Sequence, residues 1–250
     1  MTAILIGLAG GLASGLLGIG GGVVLVPLLG KFLHLDQKRA QATSLAILVF
    51  TALAAALTYG AMGTVDLRLA ALLALGAVFG VRLGALLSNR LSSATLRRAF
   101  GVFAFLVGVR LLLEHLPEGR WLAQPGIAGM ALEVAVGFVV GWLGGLLGVG
   151  GGIILVPILT LLFGVPQHEA QGVSLFMIVP MSIVGAWTQL RLGAVEKPLV
   201  APIAAAAVVA AIAAAALANE LPAPLLRRLF GLLLVVMGAR MALRPVAAGR

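Results

Sequence analysis

The sequence predicts an all-α polytopic membrane protein made of two homologous helical repeats, and three observations carry that prediction. The first is composition. Of the 250 residues 62% are hydrophobic and only 10% are charged, with mean hydropathy +1.17. A soluble domain carries about a quarter charged residues, so this chain has too few to cover a water-facing surface. The second is the recurrence of apolar runs of about 20 residues, the length a bilayer core demands. The third is a duplication. Leu16 to Leu29 reads LLGIGGGVVLVPLL, and Leu146 to Leu159 reads LLGVGGGIILVPIL, 130 positions later. A membrane β-barrel would alternate apolar and polar residues, whereas runs such as Ala201–Ala218 are apolar on every face.

The 130-residue offset holds along the chain. Ala40-Gln41 and Ser44-Leu45 return as Ala170-Gln171 and Ser174-Leu175; Leu96-Arg97-Arg98 and Phe100-Gly101 return as Leu226-Arg227-Arg228 and Phe230-Gly231. The repeats cover 1–113 and 131–250, with 114–130 as the linker. Apolar segments fall at about 2–33, 42–62, 67–88 and 96–113, then at 131–163, 172–190, 197–219 and 225–243. The N-terminus has no basic region before its apolar run, which argues against a cleavable signal peptide.

The first segment of each repeat exceeds 30 residues, is uncharged before Lys31 in the first copy, and is broken by Gly18-Ile19-Gly20-Gly21-Gly22 or Gly148-Val149-Gly150-Gly151-Gly152. Each helical glycine costs about 1 kcal/mol relative to alanine, and Pro27 and Pro157 are expected in the first turn of the resumed helix. Two short helices with an unwound joint follow. If this segment crosses once, the repeats are parallel and the basic residues divide evenly between the two sides. If it re-enters, the repeats are inverted. Lys31, Lys38, Arg39, Arg90, Arg97, Arg98, Arg191, Lys197, Arg240, Arg244 and Arg250 then face Arg68, Arg110, Arg120, Arg227 and Arg228. Eleven against five satisfies the positive-inside rule. Inverted repeats with re-entrant helix pairs and both termini cytoplasmic are therefore expected.

Small residues recur at every fourth position: Gly7, Gly11 and Gly15, repeated as Gly137, Gly141 and Gly145, and Gly76, Gly80 and Gly84, repeated as Ala206, Ala210 and Ala214. Such stripes let helices approach closely in lipid, and a structural role is expected.

Unwound backbone at membrane depth is tolerated where it is buried in protein or lines a polar cavity. Its free amides and the positive end of the following helix suit an anion. Gly20, Gly21, Gly22, Gly150, Gly151 and Gly152 are therefore candidates to line a site; the competing reading is that they only permit close packing. Gln41, Thr43 and Ser44, with Gln171 and Ser174, supply uncharged hydrogen-bond groups nearby, unless they merely cap their helices. Thr58 and Thr188 rank lower, since such hydroxyls bond back to their own helix. Arg82 is the one charge well inside a span and is a candidate for an anion; snorkelling to the interface competes with that reading and carries more weight.

Other chemistries find little support. No mid-span carboxylate suggests a proton relay, with Asp66, Glu133 and Glu196 expected near span ends. His34, His115 and His168 fall in predicted loops without metal-ligand spacing, and cysteine is absent. No catalytic constellation, Walker lysine or dinucleotide fingerprint is present, so no enzyme, cofactor or metal is expected. The net charge of +9 sits at span ends, which suits lipid headgroups rather than nucleic acid.

The paired GIGGGVVLVPLL and GVGGGIILVPIL motifs, the following Ala40–Ser44 and Ala170–Ser174, and the Leu96–Arg110 and Leu226–Arg240 stretches resemble the TauE/SafE sulfite exporter family of bacterial membrane permeases. The resemblance covers essentially the whole chain. It implies a multi-pass protein of the bacterial inner membrane that moves sulfite, a sulfonate or a related small anion. Gly172-Val173 replaces Ala42-Thr43 in the second repeat, leaving that side one hydroxyl short. The expected activity is secondary transport by alternating access around the two joints. A passive anion channel and a non-transporting scaffold are the alternatives.

Overall fold

The computed structural model describes residues 1–88, 93–113 and 126–243. These form ten α-helices and no strand: α1 (Thr2–Leu17), α2 (Gly22–Phe32), α3 (Gln37–Ala61), α4 (Leu67–Leu87), α5 (Ser93–Leu112), α6 (Gly126–Leu147), α7 (Gly152–Leu161), α8 (Gln167–Arg191), α9 (Lys197–Glu220) and α10 (Ala223–Leu243). Five of them, α3, α4, α6, α8 and α9, are long and apolar enough to cross a membrane. Large apolar side chains such as Leu12, Phe79, Leu106 and Val209 are exposed. On a chain of this composition that exposed apolar surface marks the face turned to lipid.

Several helices begin earlier than hydropathy predicts. α3 starts at Gln37 rather than 42, because Asp36 caps it by accepting from the Arg39 amide at 2.9 Å. α8 starts at Gln167 rather than 172, after Pro166. α6 starts at Gly126, inside the expected linker, whose residues 114–125 lie outside the described residues. Glu133 consequently sits about two turns into α6 instead of near a span end. It is buried, with Oε1 3.5 Å from the Arg68 guanidinium and Oε2 unpartnered. His168 likewise lies in the first turn of α8, its ring against the Ala218 and Leu221 carbonyls. His34 is in the α2–α3 turn, and His115 lies outside the described residues.

The glycine stripes set the helix directions. Cβ atoms added at Gly7, Gly11 and Gly15 would run into Ile203–Ala207, Ala207–Ala210 and Ala211–Ala215, so α1 and α9 are parallel and in near backbone contact. Gly137, Gly141 and Gly145 face Leu73, Ala77 and Val81, while Gly76, Gly80 and Gly84 face Val134, Phe138 and Trp142, so α4 and α6 are parallel too. Gly101 and Gly108 meet Gly238 and Gly231, which makes α5 and α10 antiparallel. Every one of these pairs joins a helix of one repeat to a helix of the other. With no hydrophobic force to hold helices together in lipid, close backbone approach is what binds them, and here it interlocks the two repeats.

α3 and α8 cross at the centre as an antiparallel pair, with Gly172 against Val65 and the start of α8 beside the end of α3. α3 and α9 end together, with the Thr64 hydroxyl 3.2 Å from Asn219 Oδ1. α4 and α8 end together on the other side, with Gln189 Nε2 3.4 Å from Ser88 Oγ. α2 leaves the centre of the bundle and ends at the start of α3, on the side where α1 began. α1 and α2 thus form a helical hairpin, and α6 and α7 form another, with α7 ending at the start of α8.

Candidate substrate site at the glycine joints

Each joint is unwound because its glycines occupy left-handed backbone. The φ angles are 69, 73 and 85° at Gly18, Gly20 and Gly21, and 65, 87 and 76° at Gly148, Gly150 and Gly151. L-residues pay about 1–2 kcal/mol to adopt that region. Gly21 and Gly151 stand at the N-cap positions of α2 and α7, with no side chain capping either helix. The prolines fall deeper than expected: Pro27 and Pro157 are each the sixth residue of their helix, inside it rather than in its first turn.

The two joints touch each other. A Cβ at Gly22 would lie 2.6 Å from the Val149 carbonyl, and one at Gly152 would lie 2.7 Å from Ile19 Cα and 2.9 Å from Ser174 Oγ. Gly20 packs on Leu48 and Ile178, near the midpoints of α3 and α8, and Gly150 packs on the same Leu48. Gly18 lies against Gln171 and Gly148 against Gln41. The glycines therefore both create the joints and let the two joints close on each other.

On α3, Gln41, Ser44, Leu48 and Thr51 are spaced three or four residues apart and so share one face. That face meets the joints: Gln41 at Gly148, Leu48 at Gly20 and Gly150, and the Thr51 hydroxyl 3.2 Å from the Gly20 carbonyl. On α8, Gln171, Ser174 and Ile178 repeat the pattern. None of Gln41, Ser44, Gln171 or Ser174 is an N-cap, because both helices begin earlier, and capping therefore does not explain them. Ser44 and Ser174 are both 0% exposed, and neither hydroxyl has a hydrogen-bond partner. A buried hydroxyl without a partner costs about 1–3 kcal/mol, and here the same cost is incurred at two equivalent positions.

The glutamines differ. Gln171 donates to the Leu16 carbonyl at 3.1 Å and accepts from the Tyr59 hydroxyl at 3.0 Å. No hydrogen bond holds the Gln41 side chain among the described residues, and Gln189 stands at the position equivalent to Tyr59. Tyr59 and Thr51 were not anticipated from sequence. Their repeat partners are Gln189 and Met181, so a search for matched pairs passes over them. Thr43 turns elsewhere, accepting from the Glu196 amide at 3.0 Å and thereby fixing the α8–α9 turn. Thr58 and Thr188 bond back to Ala54 and Val184 as expected. Arg82 is exposed on the outer face of α4 and lines a lateral groove with Trp187 and Arg191, apart from the joints.

The sulfite exporter TauE/SafE family model matches residues 1–111 and 119–250. The chain is 32% identical over 215 residues to the probable membrane transporter protein YunE of Bacillus subtilis, covering 77% of this chain and 79% of that protein. It is 26% identical to a probable membrane transporter protein of Haemophilus influenzae, covering 98% of each. A probable membrane transporter protein of Xylella fastidiosa is also 26% identical, over 91% of this chain and 88% of the relative. No solved structure matches. With the family match running through both repeats and both glycine joints, this chain belongs to the TauE/SafE family of membrane transporters.

Proposed function

We propose that the protein is a secondary transporter that exports a small sulfur-containing oxyanion, sulfite or an organosulfonate, by alternating access around the two joints. The reading rests on one observation above others. Ser44 and Ser174 are equivalent, fully buried and unpartnered; Ser174 Oγ lies beside Gly152 at the uncapped N-terminus of α7, and Ser44 shares the α3 face that meets the joints. Hydroxyl donors and positive helix ends together suit an oxyanion. In the closed arrangement the joints occupy that space themselves. Moving them apart would free the amides of Gly20, Gly21 and Gly22, and of Gly150, Gly151 and Gly152, together with both serines, to hold the anion; Gln41 and Gln171 stand beside them.

The repeats, 1–113 and 131–250, are read as inverted. Helices of the two repeats that run together, α1 with α9 and α4 with α6, are not equivalent ones, while the equivalent α3 and α8 run opposite ways. Among the described residues, and leaving Arg82 aside, Lys31, Lys38, Arg39, Arg97, Arg98, Arg191, Lys197 and Arg240 belong to the side where α1 starts, and Arg68, Arg110, Arg227 and Arg228 to the other. By the positive-inside rule the first side is cytoplasmic. Re-entrant pairs meeting at mid-depth in an inverted repeat are a framework for alternating access.

The test is flux into proteoliposomes of sulfite, sulfate and a series of organosulfonates, with and without a pH gradient. Saturable uptake of a sulfur oxyanion that is accelerated by the same anion loaded on the opposite side supports the proposal. Non-saturating flux without such exchange would make the protein a channel, and no flux of any anion would leave a scaffold.

A further inference from the structure

Among the described residues, Arg82 is the one guanidinium placed well inside a span that faces outward rather than into the bundle. It lies six residues before Ser88, the C-cap of α4, or about 9 Å along the helix from its end. Among the described residues it has no carboxylate and no hydrogen-bond acceptor. It borders a groove of about 530 Å³ between α3, α4 and α8, lined also by Leu86, Ile183, Trp187, Leu190 and Arg191. Arg191 is held over the Trp187 ring, 4.9 Å from the centroid. Trp187 is 59% and Ile183 50% exposed, so the groove opens sideways, toward lipid.

A cation without a partner at that depth is costly, and the groove supplies what its counter-ion would need. Two guanidiniums line it, and an arginine fork matches a phosphate. The indole marks the headgroup level of the bilayer. The remaining wall is apolar and continuous with the outer surface of the bundle. A free inorganic anion has no use for that apolar wall, whereas an amphiphile needs both parts. The repeat symmetry makes the site unique, because Arg82, Trp187 and Arg191 correspond to Ile212, Leu57 and Ala61.

We propose that this groove binds one anionic phospholipid from the leaflet on the side where α8 ends. Its phosphate sits between Arg82 and Arg191, and its acyl chains run toward the bilayer centre along Ile183 and Val49. The site is separate from the glycine joints and holds whether or not the transported anion is sulfite. The lipid also supplies the negative charge that Arg82 lacks inside the protein.

The experiment is native mass spectrometry of the detergent-purified protein titrated with phosphatidylglycerol or phosphatidylcholine of the same acyl chains. The wild type is expected to retain one phosphatidylglycerol at least tenfold more tightly than phosphatidylcholine. Arg82→Ala and Arg191→Ala should each weaken phosphatidylglycerol about tenfold, the loss of one charge-assisted contact. Arg82→Lys should keep most of the preference, and Lys31→Ala, which removes a charge on the same side outside the groove, should keep all of it. Equal retention of the two lipids by the wild type would overturn the proposal. So would an undiminished preference in both alanine variants. Displacement of the lipid by millimolar inorganic phosphate or sulfite would assign the groove to a small anion instead. If Arg82→Ala fails to fold, Arg191→Ala and the wild-type comparison still decide.

Discussion

Replacing Gly152 by alanine separates the two roles of the joint glycines, because Gly152 has ordinary helical backbone and pays only for space. Its new Cβ would stand 2.7 Å from Ile19 Cα, 2.9 Å from Ser174 Oγ and 3.0 Å from the Gly18 carbonyl. Two of these are backbone atoms that cannot swing aside, so the joints must part by several tenths of an ångström. Overpacking of this kind costs about 1–3 kcal/mol. That cost falls on the closed arrangement and is relieved when the joints separate. A bias of about 2 kcal/mol shifts a two-state balance by roughly 30-fold, so turnover should fall by about that factor while substrate affinity for the open form is kept. Gly193→Ala is the control. Its φ of 67° imposes backbone strain of about 1–2 kcal/mol, yet nothing lies within 4 Å of the added methyl. The variants should therefore lose similar stability on thermal unfolding in detergent, and only Gly152→Ala should lose transport in proteoliposomes. Wild-type turnover by Gly152→Ala would refute the idea that closure of the joints belongs to the cycle.

Three further outcomes follow from the packing. Tyr59→Phe leaves Gln171 Oε1 buried without its donor and should cost about 1–2 kcal/mol of stability, whereas Gln189→Leu, at the equivalent position, removes a single long contact at 3.4 Å and should cost less in the same unfolding assay. Gly11→Leu should dismantle the α1–α9 contact, since even a methyl there would lie 2.8 Å from Ala210 Cβ; loss of the folded peak in size-exclusion chromatography checks it. Because the chain has no cysteine, Gly63→Cys and Gly193→Cys can be labelled singly in sealed vesicles. Inverted repeats expose them on opposite faces, and labelling from one side only would contradict the inversion.

The parts of this fold that were legible in the sequence are those carried by strong local chemistry. Glycine clusters announce themselves, and both joints lie where Gly18–Gly22 and Gly148–Gly152 indicate. The stripes at Gly7, Gly11 and Gly15 and at Gly76, Gly80 and Gly84 announced close helix contact but not their partners, because a small-residue stripe says nothing of what it faces. Hydropathy places the starts of α3, α6 and α8 later than Gln37, Gly126 and Gln167, since it reports where apolar character begins rather than where backbone bonding does. The same lag puts Glu133 near a span end and leaves capping open as a role for Ser44 and Ser174, which lie in helix interiors without hydrogen-bond partners. Tyr59 and Thr51 were invisible for the opposite reason, as residues of one repeat without a counterpart in the other. Arg82 stood out by its charge, but nothing in a single helical turn tells whether a side chain points into a bundle or out of it.

The central claim, that Ser44 and Ser174 form one oxyanion site with the joints, is tested most directly by the half-saturation constant for sulfite uptake in Ser44→Ala, Ser174→Ala and the double variant. A hydrogen bond to a charged ligand is worth about 1.5–3 kcal/mol, so each single change should raise the constant tenfold or more and the double change about a hundredfold or more. Folded-state stability should hold or rise, because each substitution removes a buried hydroxyl that has no partner. An unchanged half-saturation constant in the double variant, with protein still folded and transporting, would contradict the account.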